Sequence, residues 1–161
     1  MNTWRVGRAY ATPKLREING IFGGELAGHY YLRDFYYSDS GLLASMLLLN
    51  VLGGFIREGK TVSQVIDGIS VYANSGEINF RIQDKSGAMD ALRNYFSTEE
   101  KPLADFDFDG YRLEFPSWWF NVRPSNTEPY LRFLAEGLTD DLLQQKLAEV
   151  RRIVAPFLDK V

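Results

Sequence analysis

Apolar and polar residues alternate regularly in the second half of the chain and not in the first. From Glu77 the run "EINFRI" changes side at every residue, the period of a half-buried strand. "ADFDF", "YRLEF", "WWFNV" and "YLRFLAEG" repeat that rhythm. Between the first two strands Asp84 stands where an N-cap would open a helix through "AMDALRNYF", and Asp109-Gly110 has the chemistry of a tight turn joining "ADFDF" to "YRLEF". In "DLLQQKLAEVRRIVAPFLDKV", Leu142, Leu143, Leu147, Val150 and Val154 form a helical stripe. Asp140 and Asp141 favour the positive end of that helix, and Pro156 predicts a kink or a separate short turn. Strand, helix, four strands, helix predicts a mainly antiparallel sheet with helices packed on one face.

The first half is less regular. Thr12-Pro13 suits the N-cap and first residue of a helix over "KLREIN", which Asn19-Gly20 would stop. "GIFGGE" reads as a short buried strand entering a glycine-rich loop. Ser38 and Ser40 precede an apolar segment with Leu42, Leu43, Met46, Leu47, Leu49 and Leu52, too crowded for a one-sided stripe. This predicts a mostly buried helix, ending near Gly53-Gly54 or fraying toward Gly59. Thr61 and Gln64 fit a capping box for "VSQVID", and "GISVYANSG" has turn formers without a period, the pattern of a linker. The fold class expected is α+β, divided into residues 1–68, an incomplete α/β domain, and residues 69–161, the sheet domain. So few strands make the first part a poor independent domain.

Composition narrows the function classes. With 161 residues and 45% hydrophobic content the chain can bury a core. A net charge of −3 argues against a nucleic-acid surface, so any anion site must be local. Without cysteine there is no disulfide framework, thiolate metal site or thiol nucleophile, which fits a reducing cytoplasm. The most apolar run, "GLLASMLLLNVLGGF", is too short to cross a bilayer, and "MNTWRVGRAY" lacks the apolar stretch of a signal peptide. The expectation is a cytoplasmic protein with neither membrane nor nucleic-acid partner.

Two loops carry candidate chemistry. In "GGELAGH" the glycines, Gly24 among them, let the backbone bend around a ligand while Glu25 and His29 supply hydrogen-bonding groups. The alternative is a glycine turn with a solvated glutamate. In "RPSNTEP" the Arg123 guanidinium can fork onto a phosphate, with Ser125, Asn126, Thr127 and backbone N–H groups on the other oxygens. The alternative is a plain strand connection with Arg123 paired to an acid such as Glu128. Asp105, Asp107 and Asp109 alternate along a strand and could attract a cation, though a hairpin explains them better, and no metal site is assigned. Tyr30, Tyr31, Tyr36, Trp118 and Trp119 are either core residues or platforms for a sugar face.

Taken together and in this order, the two loops resemble those of the α-D-phosphohexomutase family, the phosphomannomutases and phosphoglucomutases. The family's third domain carries Gly-Glu-x-Ser-Gly-His, here "GELAGH", and its fourth Arg-x-Ser-Gly/Asn-Thr-x-Pro, here "RPSNTEP". "RVGRAY" is similar to a family loop that precedes a helix and faces the active site, and "YYSDSGLLASMLLLNVL" to its Asp-Gly-Ile helix start. "SGEINFRI", "FDFDGYRLEF" and "WWFNV" follow the course of the fourth domain. Ala27 departs from the usual serine, and Arg8 stands where bacterial relatives often carry histidine.

The resemblance implies the end of domain 3 followed by domain 4: the substrate-binding C-terminal half of an isomerase that interconverts hexose 1-phosphate and hexose 6-phosphate through a hexose 1,6-bisphosphate. Gly7, Arg8, Gly24, Glu25 and His29 would line the sugar side, with His29 and Arg8 as possible auxiliaries to the transfer. Arg123, Ser125, Asn126 and Thr127 would hold phosphate. The family's Thr-Ala-Ser-His-Asn phosphoserine loop and Asp-x-Asp-x-Asp-Arg magnesium loop do not occur here. Mg2+ is therefore expected outside these residues, on missing N-terminal domains, and this chain alone is expected to be inactive. Apolar surface around Ile21, Phe22 and the Leu47 helix would then be exposed and favour self-association. The alternative is a stand-alone module that binds a sugar phosphate without chemistry.

Overall fold

The first helix, α1 (Arg8–Glu17), starts upstream of Thr12-Pro13: Gly7 is its N-cap and Pro13 lies inside it. Thr12 is engaged elsewhere, its hydroxyl donating to the Tyr37 carbonyl at 3.0 Å, which corrects the predicted cap. The predicted stop holds. Asn19 adopts φ 50°, the Gly20 N–H donates to the Leu15 carbonyl (2.8 Å) and the Asn19 N–H to that of Arg16 (3.2 Å), the paired closure by which a left-handed residue ends a helix. This computed structural model describes residues 2–125 and 128–159.

Three short strands follow, β1 (Phe22–Gly24), β2 (Tyr30–Leu32) and β3 (Ser38–Asp39), in an antiparallel sheet with Gly24 opposite Tyr30 and Tyr31 opposite Asp39. The strand predicted in "GIFGGE" exists but is not buried: Ile21 and Phe22 are 67% and 55% exposed. So small a sheet beside one short helix has too little apolar surface to cover both faces. Ser40 accepts a hydrogen bond from the Leu43 N–H (3.2 Å) and caps α2 (Gly41–Arg57), which runs straight through Gly53-Gly54. Expected to be mostly buried, α2 has no buried residue, and Leu42 and Leu49 are among its most exposed side chains. A helix apolar on all sides needs neighbours on all sides, and its main neighbour among the described residues is the short α3 (Val62–Asp67), closed by the predicted capping box. These elements form one unit, Met1–Ile69.

The second unit is Ser70–Val161. Within the stretch read as a linker, β4 (Ala73–Asn74) pairs with the far end of a later strand. Then come β5 (Ile78–Arg81), α4 (Lys85–Glu99), β6 (Ala104–Phe106), β7 (Tyr111–Glu114), β8 (Trp118–Pro124), β9 (Tyr130–Gly137) and α5 (Asp140–Val154), followed by a short 3-10 turn at Ala155–Phe157 where Pro156 predicted one. The sheet order is β4-β9-β8-β7-β6 with β5 also on β9, and each pairing is antiparallel. Alternation places Phe120, Val122, Leu131, Phe133 and Ala135 on one face, against Leu92 and Phe96 of α4 and Leu143, Leu147 and Val150 of α5. This is the expected α+β layer, sheet below and helices above. The β6–β7 connection is a hairpin, and Gly110 turns it at φ 74° with its Cα so close to β8 that a Cβ would overlap the Val122 carbonyl.

Candidate functional site

In the first unit the "GELAGH" loop is the β1–β2 hairpin. The Glu25 N–H donates to the His29 carbonyl (2.9 Å) and the Gly28 N–H to that of Glu25 (3.0 Å). Gly28 at φ 83° supplies the left-handed position that a three-residue hairpin loop requires. This brings Glu25 back toward the start of α1, where the Gly7 N–H donates to its Oε1 at 3.1 Å. The Tyr31 hydroxyl donates to the same oxygen at 2.7 Å. Both donors fall on Oε1, so the carboxylate is oriented while Oε2 is not recruited by either.

His29 stands beside it. Its Nδ1 lies 2.6 Å from Asp39 Oδ2, and Asp39 Oδ1 accepts from the Tyr30 N–H at 2.9 Å. An ionised carboxylate only accepts, so Nδ1 carries the proton. The Asp39 hydrogen bond, then its charge, then that of Glu25, raise the His29 pKa above its ordinary 6.5. The His29 hydrogen bond and that of the Tyr30 N–H hold Asp39 below its ordinary value. Burial, then the hydrogen bond to Glu25, pushes the Tyr31 phenol far upward, so it stays a donor. Arg8 opens α1 next to Gly7, and its charge is felt at both Tyr31 and Asp39.

The structure thus gathers Gly7, Arg8, Glu25 and His29, from the start of α1 and the β1–β2 hairpin, into one cluster, with Gly24 at the hairpin's base. Sequence reasoning missed two members as site residues. Tyr31 is fully buried and serves Glu25 rather than a sugar face, and Asp39 was read only as part of a helix start. Their signal was the strand period, which aligns Tyr31 with Asp39 across β2 and β3. Ala27 sits exposed at the loop tip.

In the second unit "RPSNTEP" joins β8 to β9. Asn126 and Thr127 lie outside the described residues. The Ser125 N–H donates to the Tyr130 carbonyl at 2.9 Å, closing the loop's base, and Ser125 is buried. Arg123 faces Arg132 directly across the strands, a like-charge pairing that is unfavourable unless an anion bridges it. Glu77 does so, with Oε1 3.4 Å from Arg132 and Oε2 4.0 Å from Arg123. Glu128, expected as a partner for Arg123 in the plain-connection reading, instead pairs with Arg132 at 3.4 Å. Lys85 was not singled out from the sequence. Its Nζ donates to the carbonyls of Ser125 (3.0 Å) and Glu128 (2.7 Å).

Elsewhere the candidates resolve differently. Asp105 is paired with Arg93 at 2.9 Å. Trp118 is buried in the core, while Trp119 lies under the Arg112 guanidinium, 3.8 Å from its ring centre. Tyr30 and Tyr36 remain exposed. No helix among the described residues is long and apolar enough to cross a membrane.

Comparison with known proteins finds a match for each unit. The sequence model of the phosphoglucomutase/phosphomannomutase alpha/beta/alpha domain III matches residues 1–72, and that of the phosphoglucomutase/phosphomannomutase C-terminal domain matches residues 77–153. A phosphomannomutase of Methanocaldococcus jannaschii is 34% identical over 94% of this chain and 32% of its own length. A protein named phosphohexose mutases from Xanthomonas campestris pv. campestris is 31% identical over 92% of this chain and 32% of its own length. The crystal structure of a phosphoglucomutase/phosphomannomutase family protein from Burkholderia thailandensis superposes with a TM-score of 0.71 at 25% identity, covering 94% of this chain and 31% of that one. The chain spans about a third of the length of these curated relatives. With both unit types matched in order over nearly all of its length, the chain belongs to the phosphoglucomutase/phosphomannomutase family, as its domain III and C-terminal portion.

Proposed function

We propose that this chain grips the sugar and the non-reacting phosphate of a hexose phosphate, as the substrate-binding part of an enzyme that interconverts hexose 1-phosphate and hexose 6-phosphate through a bisphosphate. The carrying observation is Glu25: two donors, Gly7 N–H and Tyr31 hydroxyl, converge on one of its oxygens. A carboxylate fixed this way can accept from a pair of ring hydroxyls with its remaining lone pairs. Gly24 and Gly7 keep the approach open, Arg8 supplies positive charge beside it, and His29 offers a ring that Asp39 biases toward its charged form. Arg123, Ser125, Asn126 and Thr127 take the phosphate, whose charge replaces Glu77 between Arg123 and Arg132.

Phosphoryl transfer needs a nucleophile and neutralisation of the transferred group. The described residues contain no group of three or more carboxylate, imidazole or thiol side chains suited to a metal ion, and Asp105 is held by Arg93. They do not fit the family's Mg2+. The nucleophile and the metal belong to further domains, which the reading makes this chain's partners.

Titrating the 15N-labelled chain with inorganic phosphate, mannose 1-phosphate, glucose 1-phosphate and free glucose tests the reading. Phosphate should move the amides of residues 123–128 and sugar phosphates should also move residues 24–29, with affinities on the order of millimolar for part of a cleft. Silence of both loops at high ligand would reject it. A coupled assay on the highly purified chain should show no turnover.

A further inference from the structure

We infer that Lys85 is a positioning residue for the phosphate loop, holding Ser125 and Glu128 in place before an anion arrives; this rests on the phosphate-binding role given above. Lys85 is the first residue of α4, behind the Asp84 N-cap. A cation there faces the positive end of the helix, where the backbone favours acids. The placement is compensated by what the ammonium reaches: the carbonyls of Ser125 at 3.0 Å and Glu128 at 2.7 Å, forty and forty-three residues along the chain.

Those carbonyls flank the central residues of "RPSNTEP". The loop's base is closed independently by Ser125 N–H on Tyr130 and by Ile82 N–H on Pro129, the latter from the segment just before α4. With Pro124 and Pro129 restricting the backbone on either side, Lys85 adds a two-pronged tie inside these closures. An ammonium has three donors, and the two spent here hold the loop by charge-assisted bonds. Preordering of this kind strengthens binding by lowering the entropy lost when the anion is captured. The roles divide: Lys85 shapes the loop through the Ser125 and Glu128 carbonyls, and Arg123 neutralises the anion.

The test compares the unchanged chain with Lys85→Met and Lys85→Arg by 15N titration with inorganic phosphate and mannose 1-phosphate. Met keeps the aliphatic stem and loses the donors, and should weaken phosphate binding about tenfold. Arg can still reach both carbonyls and should restore most of the affinity. Amide shifts of Phe120 and Phe133 should stay fixed, showing an intact core, while amide exchange at Ser125 and Glu128 should quicken in Lys85→Met. If the unchanged chain binds phosphate and Lys85→Met binds it equally well, or Lys85→Arg is as weak as Lys85→Met, the role of Lys85 is overturned while the phosphate site stands. If the unchanged chain itself ignores phosphate, the site and the role both fall.

Discussion

Tyr31 lies wholly in the interior with its hydroxyl on Glu25. Tyr31→Phe should cost about 1 kcal/mol, the net worth of one hydrogen bond, seen as a lower melting temperature and a weaker response of residues 24–29 to sugar phosphate. The phosphate loop, in the other unit, should respond as before. For His29 and Asp39 the pH behaviour follows from the direction of each shift. The His29 contribution is complete below its unfolded value of 6.5 and is lost as pH rises through its raised folded value. The Asp39 contribution is present above its unfolded value of 3.8 and is lost as pH falls through its lowered folded value. The pair therefore contributes fully between the two unfolded values, 3.8 and 6.5, and its contribution declines on either side. In Asp39→Asn the His29 ring protons, followed by NMR, should titrate at lower pH than in the unchanged chain. An unmoved midpoint would mean that Asp39 does not hold the ring. Under the proposed phosphate role Glu77 competes for Arg123, so Glu77→Gln should tighten phosphate binding about two- to fivefold, the range of a partly exposed ion pair.

At the scale of elements, the side-chain caps Ser40, Thr61 and Asp84 were legible, whereas helix surroundings were not. Asp84 accepts from the Gly87 N–H at 2.9 Å, as the spacing predicted; Asp84→Ala should cost about 1 kcal/mol in denaturant unfolding. It should also slacken the phosphate loop, since Lys85 rides on that helix end. The strands of the second unit were legible because one covered face imposes a strict period of two. α1 was misread at its start because Thr12 has a tertiary acceptor, Tyr37, that no local rule contains. α2 was misjudged in its surroundings: its composition announces burial, but burial depends on neighbours that a helix's own sequence does not encode. The candidate site divides the same way. Glu25, His29 and Arg123 stood out by chemical type and spacing, whereas Tyr31, Asp39, Lys85 and Glu77 act through folded contacts across strands and between elements.

Across the whole molecule the two units differ in how much they bury. The second encloses a continuous core between sheet and helices, while among the described residues of the first only Leu15 and Tyr31 are buried. Hydrogen exchange should accordingly be slowest in β8, β9, α4 and α5 and fast along α2, whose bonds open without loss of packing. Equal protection in α2 and β9 would contradict this. The exposed run Leu42, Met46, Leu47, Leu49 and Val51 presents a broad apolar surface. We expect sedimentation to show mass rising with concentration, and substitution of Leu42 and Leu49 by glutamate to suppress it.

The facing arginines of β8 and β9 also make the fold sensitive to its solvent. A ligand that binds only the folded chain adds stability that grows with the logarithm of its concentration, so the proposed phosphate site would make common buffer anions ligands of Arg123 and Arg132. At matched ionic strength the second unit should melt higher in phosphate or sulfate than in chloride, and that difference should vanish in Arg123→Ala. The thermal stability of this chain is, in that sense, a property of the salt it is dissolved in as much as of its core.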